Sequence, residues 1–258
     1  LAEYDKVYNS SIIEIRQIQD GLLVWDPRQE DQKLDDGSTW GWSENPAICV
    51  LNYLLAKHGM VLGASTLNIG SFTRVADLLD ARSWTITALF GLDEDPSDVL
   101  EKMLESFRGD FYYDDFGRLA LTCAPWGAVS AQSDTLGTDA DLYTLTDADV
   151  LEYVRQDPGN QAIDEFNTVK PFYRPASQRY TEGQAAAVQD LERVAATGRD
   201  LVEAPDYEYV SDHAQARWLA AMELGESNPV WICELVFRPR AVGILENENN
   251  LDDKRKFY

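Results

Sequence analysis

Two histidines, His58 and His213, are the only imidazole bases on which a Ser/His/Asp or Cys/His relay could be built. His213 falls just inside a helix start, where the helix dipole disfavours a positive charge, and reads as a surface residue of the capping region. Cys49, Cys123 and Cys233 lie far apart in apolar company, and none forms a Cys-x-x-Cys pair. Zinc needs about four closely arranged nitrogen and sulfur ligands, so these thiols read as free and buried, as in a reducing cytoplasm. There is no Gly-x-Ser-x-Gly, P-loop, Gly-x-Gly-x-x-Gly or His-Glu-x-x-His. No catalytic, cofactor-binding or metal-binding residue is assigned, and no cofactor is expected.

Carboxylates offer a second chemistry. Glycoside hydrolysis uses two of them facing each other across a cleft about 5–10 Å wide. Asp114-Asp115 and Glu94-Asp95 are adjacent pairs, but the first flanks a hairpin turn and the second precedes a helix, both structural duties. Trp40, Trp42, Trp84 and Trp126 could line a sugar site, but they read in preference as large core fillers. Asn9-Ser10-Ser11 matches a glycosylation acceptor by chance. The net charge of −23, from 22 Lys+Arg against 45 Asp+Glu, would repel phosphates, so nucleic-acid binding is not expected. The plain reading of that charge is a solvated acidic surface.

At 258 residues with 45% hydrophobic residues, the chain can bury a sizeable core. No apolar run approaches the ~20 residues of a membrane-spanning helix. LAEYDKVYNSS lacks the basic start and apolar core of a secretory signal. It also lacks an initiator Met, so Leu1 is expected to begin a processed, truncated or partial stretch of a longer chain.

Residues 12–28 predict two strands around Asp20-Gly21, ended by Asp26-Pro27, and residues 29–39 a polar loop. A helix follows, capped by Ser43, with Pro46 in its first turn, Ile48, Leu51 and Leu55 as its buried stripe, and Gly59 as its stop. Ser71 is the expected cap of a second helix that buries Phe72, Val75, Leu78 and Leu79. Asp95, Pro96 and Asp98 open a third, with Val99, Leu100, Met103, Leu104 and Phe107 on one face and Gly109 closing it. A hairpin turning at Asp115-Phe116-Gly117 comes next. Residues 124–141 read as a loop, and strands return in LYTLTDADVLEYV and EFNTVKPFYR. The 180–200 stretch reads as a short helix or an exposed excursion. Ser211 is the expected cap of a last helix with Trp218, Leu219 and Met222 inside and Gly225 at its end. VWICELVF is an apolar strand, and no repeat is found.

The phrase VWDPR, a polar loop, and then TWGWSENPAICVLNYLLAKHGM resembles the central part of phage tail tip proteins, the lambda tail tip protein J family and the related tail hubs of siphophages and gene transfer agents. Downstream, TALFGLDEDPSDVLEKMLESFRGDFYYDDFGRLAL, YTLTDADV, EFNTVKPFYR and SDHAQARWLAAMEL follow the family's block order. The resemblance runs from about Val24 to Val236. Its matching positions are Trp25, Asp26, Pro27, Arg28, Trp40, Ser43, Asn45, Pro46, Ala47, Gly91, Pro96, Gly109, Gly117 and Arg217. Cys49 and Asn52 stand where the family shows plain aliphatics, which reads as a packing variation. The family's Gly-Asp phrase and further domains do not follow.

The resemblance implies an α+β chain: β-barrel-type hub domains with an inserted or flanking block of short helices. It divides the chain into an N-terminal β segment (1–40), a helical block with a hairpin (41–125), a second β/α region (126–245) and a polar tail (246–258) where the chain continues or is truncated. It implies a non-enzymatic subunit of the virion tail tip, assembled in the host cytoplasm for host attachment. A homotrimer is expected, touching the distal tail protein, the tape-measure protein and other tail tip proteins. DNA would pass through the lumen without specific binding. Trp40 and Trp42 would anchor the loop entering the first helix. The alternative is a tail-associated cell-wall glycan hydrolase using a carboxylate pair.

Overall fold

The computed structural model describes residues 21–91, 93–114, 116–123, 150–158, 166–226 and 231–237. Pro46 decides where the first helix begins. It lacks an N–H and has a fixed φ, so it suits the first helical position, and the residue before it becomes the cap. Helix α1 accordingly runs Pro46–Leu55 with Asn45 as N-cap, whose side-chain oxygen accepts the N–H groups of Ala47 and Ile48 at 3.0 and 3.3 Å. Ser43, the expected cap, sits one step upstream, where its hydroxyl accepts the Asn45 N–H at 3.1 Å. Ile48 and Leu51 are buried as expected and Leu55 partly so, but Ala47, Val50, Tyr53 and Leu54 are buried too. A helix apolar on most sides is a core helix. Gly59 does not end it: α1 stops at Leu55, and Gly59 lies in the turn beyond, against the Tyr53 carbonyl with no room for a Cβ.

Helix α2 is Ile69–Asp80, capped by Asn68 rather than Ser71. Ser71 is fully buried inside the helix. Its hydroxyl donates to the Asn68 carbonyl at 2.7 Å and accepts the Leu121 N–H at 2.9 Å, a tertiary duty instead of a cap. Phe72, Val75, Ala76 and Leu79 are buried, with Leu78 at the edge of the core. Helix α3, Pro96–Glu105, follows its expected design: Asp95 accepts the Ser97 N–H at 2.8 Å, Pro96 leads, and Val99, Met103 and Phe107 are buried. Its closure differs. Ser106 is the C-cap and Arg108 takes the left-handed turn at φ 52°, while Gly109 already belongs to the next strand. There the Phe107 ring lies over Gly109 so closely that a Cβ would collide with it.

Strands β1 (Gly109–Tyr113) and β2 (Leu119–Cys123) form the expected antiparallel hairpin, with Phe111 opposite Leu121 and Gly117 at φ 70° in the turn. The turn is locked by Asp114, whose buried carboxylate accepts the N–H groups of Phe116 (3.0 Å) and Arg118 (2.7 Å). It also takes the Arg118 guanidinium at 2.6 Å and the Asn68 amide at 3.1 Å, tying the hairpin to the start of α2. Burial opposes ionisation of Asp114, yet these bonds hold its carboxyl below the usual range.

In the second half, β3 (Val150–Pro158) takes up the end of LYTLTDADVLEYV, whose residues 142–149 lie outside the described ones. Strands β4 (Thr168–Val169) and β5 (Phe172–Tyr173) fall in EFNTVKPFYR as expected. The 180–200 stretch divides into β6 (Gly183–Gln184), β7 (Val188–Gln189) and a short exposed helix, α4 (Leu191–Thr197), capped by Asp190. β4 pairs antiparallel with β7 and parallel with β8 (Val202–Glu203), and β5 pairs with β6. Helix α5 is His213–Glu226, so Gly225 lies inside its last turn. Asp212 accepts the Gln215 N–H at 2.8 Å, whereas Ser211, the expected cap, faces Thr87 with the two hydroxyl oxygens 3.2 Å apart. The VWICELVF strand is β9 (Trp231–Phe237), antiparallel to β3 with two register shifts.

The expected strand over Leu23–Trp25 is reduced to one antiparallel bridge, Val24 to Gly41. The strand expected before Asp20-Gly21, the 124–141 loop and the polar tail lie outside the described residues. The fold is α+β: five α-helices and several small sheets among the described residues, with no closed barrel among them. One hydrophobic cluster runs from Val24 to Leu219, so α1, α2, α3, the hairpin and α5 share a core. Trp84 and Trp218 meet edge to face at 4.6 Å across it.

Tyr209 is the misfit of that core. It is 2% exposed, and its hydroxyl lacks a hydrogen-bond partner among the described residues. An unsatisfied buried group costs about 1–3 kcal/mol, so Tyr209→Phe is expected to raise stability by about 1 kcal/mol. A urea midpoint that rises at constant m would confirm this; an unchanged or lower midpoint would reveal a partner for the hydroxyl.

Candidate functional site

The two most distinctive sequence phrases, Trp25–Arg28 and Ser43–Ala47, meet at one junction between α1 and α2. Asn52, on the second turn of α1, stands in for a strand partner. Its side-chain oxygen accepts the Trp25 N–H at 2.9 Å, and its nitrogen donates to the carbonyls of Trp25 and Ile48, both at 2.8 Å. Its polarity thus has a tertiary purpose and is not a packing variation.

Asp26 is 6% exposed and needs partners for its carboxylate. It accepts the Arg28 N–H at 3.0 Å in a local turn through Pro27 and forms a two-pronged pair with the Arg28 guanidinium, Nη2 to Oδ2 at 2.8 Å and Nε to Oδ1 at 3.0 Å. Arg28 then reaches α2, where Nη1 donates to Asp77 at 2.8 Å and Asp80 at 2.7 Å. The other Asp80 oxygen accepts the Asn45 amide at 2.7 Å, and the same amide donates to the Ala76 carbonyl at 2.9 Å. Asn45 meanwhile caps α1, which closes the circuit from the incoming chain through α2 to the helix start. Hydrogen bonding to Asp26, ahead of the opposing burial, holds the Arg28 guanidinium well above its ordinary pKa.

The other motif positions serve different places. Pro46 and Ala47 open α1, both buried. Trp40 anchors the polar loop by donating its indole N–H to the Lys33 carbonyl at 2.8 Å. Trp42 stands 51% exposed beside the junction. Gly91 donates its N–H to Glu94 in the turn before α3, Pro96 leads α3, Gly109 underlies Phe107, and Gly117 makes the hairpin turn. Arg217 is exposed on α5.

Among the described residues, the carboxylates and histidines considered for catalysis have structural partners; Asp115 lies outside them. Asp114 locks the hairpin, Asp95 caps α3, and Glu94 takes the Gly91 N–H. His58 stacks on Phe90 at 6.4 Å, and His213 Nδ1 lies 3.2 Å from the Tyr173 hydroxyl. Burial pushes the thiols of Cys49 and Cys123 up to about 12, so both remain protonated near neutrality and are poor nucleophiles. No group of three or more His, Cys, Asp or Glu among the described residues could hold a metal ion. Trp84 is buried in the core, and Trp126 lies outside the described residues. No helix among the described residues is long and apolar enough to cross a membrane.

The residues that sequence reasoning missed here are Asn52, Asp77 and Asp80. A spacing signal existed for the last two, three apart on one helix, but only the fold supplies Arg28 as their common partner. The sequence matches no protein-family model and no curated protein.

Proposed function

We propose that the chain is a structural subunit of the tail tip or baseplate hub of a phage or phage-like particle, working by assembly rather than catalysis. The observation that carries this reading is the junction. The two phrases that most resemble the tail hub family, WDPR and SENPA, form one unit: Arg28, held by Asp26, and Asn45 meet on the two oxygens of Asp80 in α2, and Trp25 is bound by Asn52 of the helix that SENPA opens. Matching residues that depend on one another physically are better support for kinship than matching residues scattered over a surface.

The reading brings with it β-barrel hub domains, a homotrimer under the tail tube, and the distal tail and tape-measure proteins as neighbours. The charge of −23 suits a lumen through which DNA passes without adhering, because like charges repel along the channel. In analytical ultracentrifugation the chain is expected to sediment as three 29.1 kDa subunits and, mixed with the distal tail protein, to form a larger ring visible by electron microscopy. A chain that stays monomeric at all concentrations and ignores the distal tail protein would overturn the proposal.

A further inference from the structure

An open cleft of about 490 Å3 lies over the junction, between residues 24–32, residues 41–45 and the end of α2. Its floor is chemically satisfied, since Asp26 pairs with Arg28, and Arg28 and Asn45 both bond to Asp80 at its edge. Its rim is not. The side chains of Gln29, Asp31, Trp42, Glu44 and Ser83 line the cleft without a hydrogen bond among the described residues. Trp42 exposes half of a large indole there, while the other apolar lining residues, Val24 and Trp84, are buried.

These residues discriminate between ligand classes. An anion would be repelled by Asp31 and Glu44 on the rim. A cation could pair with Asp31 or Glu44 at the rim, but deeper in the cleft it would meet the positive charge of Arg28, which already occupies the carboxylates of Asp26 and Asp80. An apolar ligand would strip water from amide, hydroxyl and carboxylate groups and return no hydrogen bonds. A neutral polyhydroxylated ligand meets none of these penalties. One C–H face of a sugar ring can lie on an indole, while ring hydroxyls both donate to carboxylates and accept from amides and hydroxyls. A cleft of this size falls within the range of about 300–1,000 Å3 typical of small-ligand sites.

We propose that the cleft binds a neutral saccharide, with Trp42 as its stacking platform and Gln29, Asp31, Glu44 and Ser83 as hydrogen-bonding partners. The proposal does not rest on the tail-hub reading. A monomer that binds sugar would uphold it, and a trimeric hub that ignores sugar would sink it.

The test is a ligand-observed saturation-transfer titration of the full chain with chitotriose, maltotriose and cellotriose, alongside Nα-acetylarginine amide as a charged comparison. Saturable binding of at least one oligosaccharide is expected, weakened about tenfold by Trp42→Ala, largely kept by Trp42→Phe and weakened several-fold by Gln29→Ala. Trp42 is half exposed, so the thermal midpoint of Trp42→Ala should stay at the wild-type value. Any of three results would overturn the proposal: no saturable binding of the three sugars, binding indifferent to Trp42→Ala, or arginine amide competing for the same site.

Discussion

Asn45→Ala is expected to lower the stability of the protein by about 3 kcal/mol, far more than the same change at Ser43, where about 0.5 kcal/mol is expected. The asymmetry comes from what each side chain serves. Asn45 accepts the N–H groups of Ala47 and Ile48, both fully buried, so no water can replace the cap. Its amide also supplies the Ala76 carbonyl and one Asp80 oxygen, and alanine leaves both without that donor. A lost cap costs about 1 kcal/mol, and taking the donor from the carbonyl of buried Ala76 adds about 1–3 kcal/mol before partial relaxation, whereas the half-exposed Asp80 can turn its freed oxygen to water. Ser43 serves only the Asn45 N–H and the Cys49 thiol through its backbone, and it is partly exposed. Urea denaturation of the two variants side by side measures the difference. Equal losses would show that the helix start does not depend on Asn45 as the geometry requires.

The three helix starts differ in how much of each is written locally in the sequence. At α3 the cap and the leading proline are adjacent, Asp95 then Pro96, and the apolar face repeats regularly, so local physics alone reaches the observed element. The same rule applies at α1, where a proline at the first position makes Asn45 the cap, although Ser43 is an equally good capping residue by type. At α2 the local evidence is ambiguous, since Asn68 and Ser71 are both capable caps. What decides between them is the N–H of Leu121, which claims the Ser71 hydroxyl from 50 residues away. The junction has the same character. WDPR and SENPA are readable as phrases, but Arg28 meets Asp77 and Asp80 across 49 and 52 residues, and nothing local distinguishes those two among 45 acidic residues. The two-residue strands β4 to β8 are still less legible, because their pairing comes from the packing of neighbours rather than from any strand-length pattern.

Gln215→Leu is the second large expected loss, about 2–4 kcal/mol, although leucine matches the apolar surroundings and the size of the site. Gln215 is 1% exposed on α5 and holds two distant parts of the core at once. Its side-chain oxygen accepts the Thr85 N–H at 3.2 Å, and its nitrogen donates to the carbonyl of Ser106, at the end of α3, at 2.7 Å. Leucine gains apolar burial but leaves that donor and acceptor facing a side chain that can answer neither. Gln215→Glu separates the two bonds. It keeps the acceptor for Thr85 but turns a carboxylate oxygen toward the Ser106 carbonyl, so burial and repulsion raise the folded-state pKa of the new acid above its unfolded value near 4.3. A group with a raised folded pKa contributes its stability below the unfolded pKa and loses it as pH rises through the folded one. Gln215→Glu is therefore expected to approach wild type below about pH 4 and to fall behind as pH rises toward neutrality, while the deficit of Gln215→Leu stays constant. Denaturation midpoints of both variants across that pH range measure the contrast. If the deficit of Gln215→Glu did not change with pH, the side chain would not be donating to the Ser106 carbonyl, and α5 would be held to the helical block by apolar packing alone.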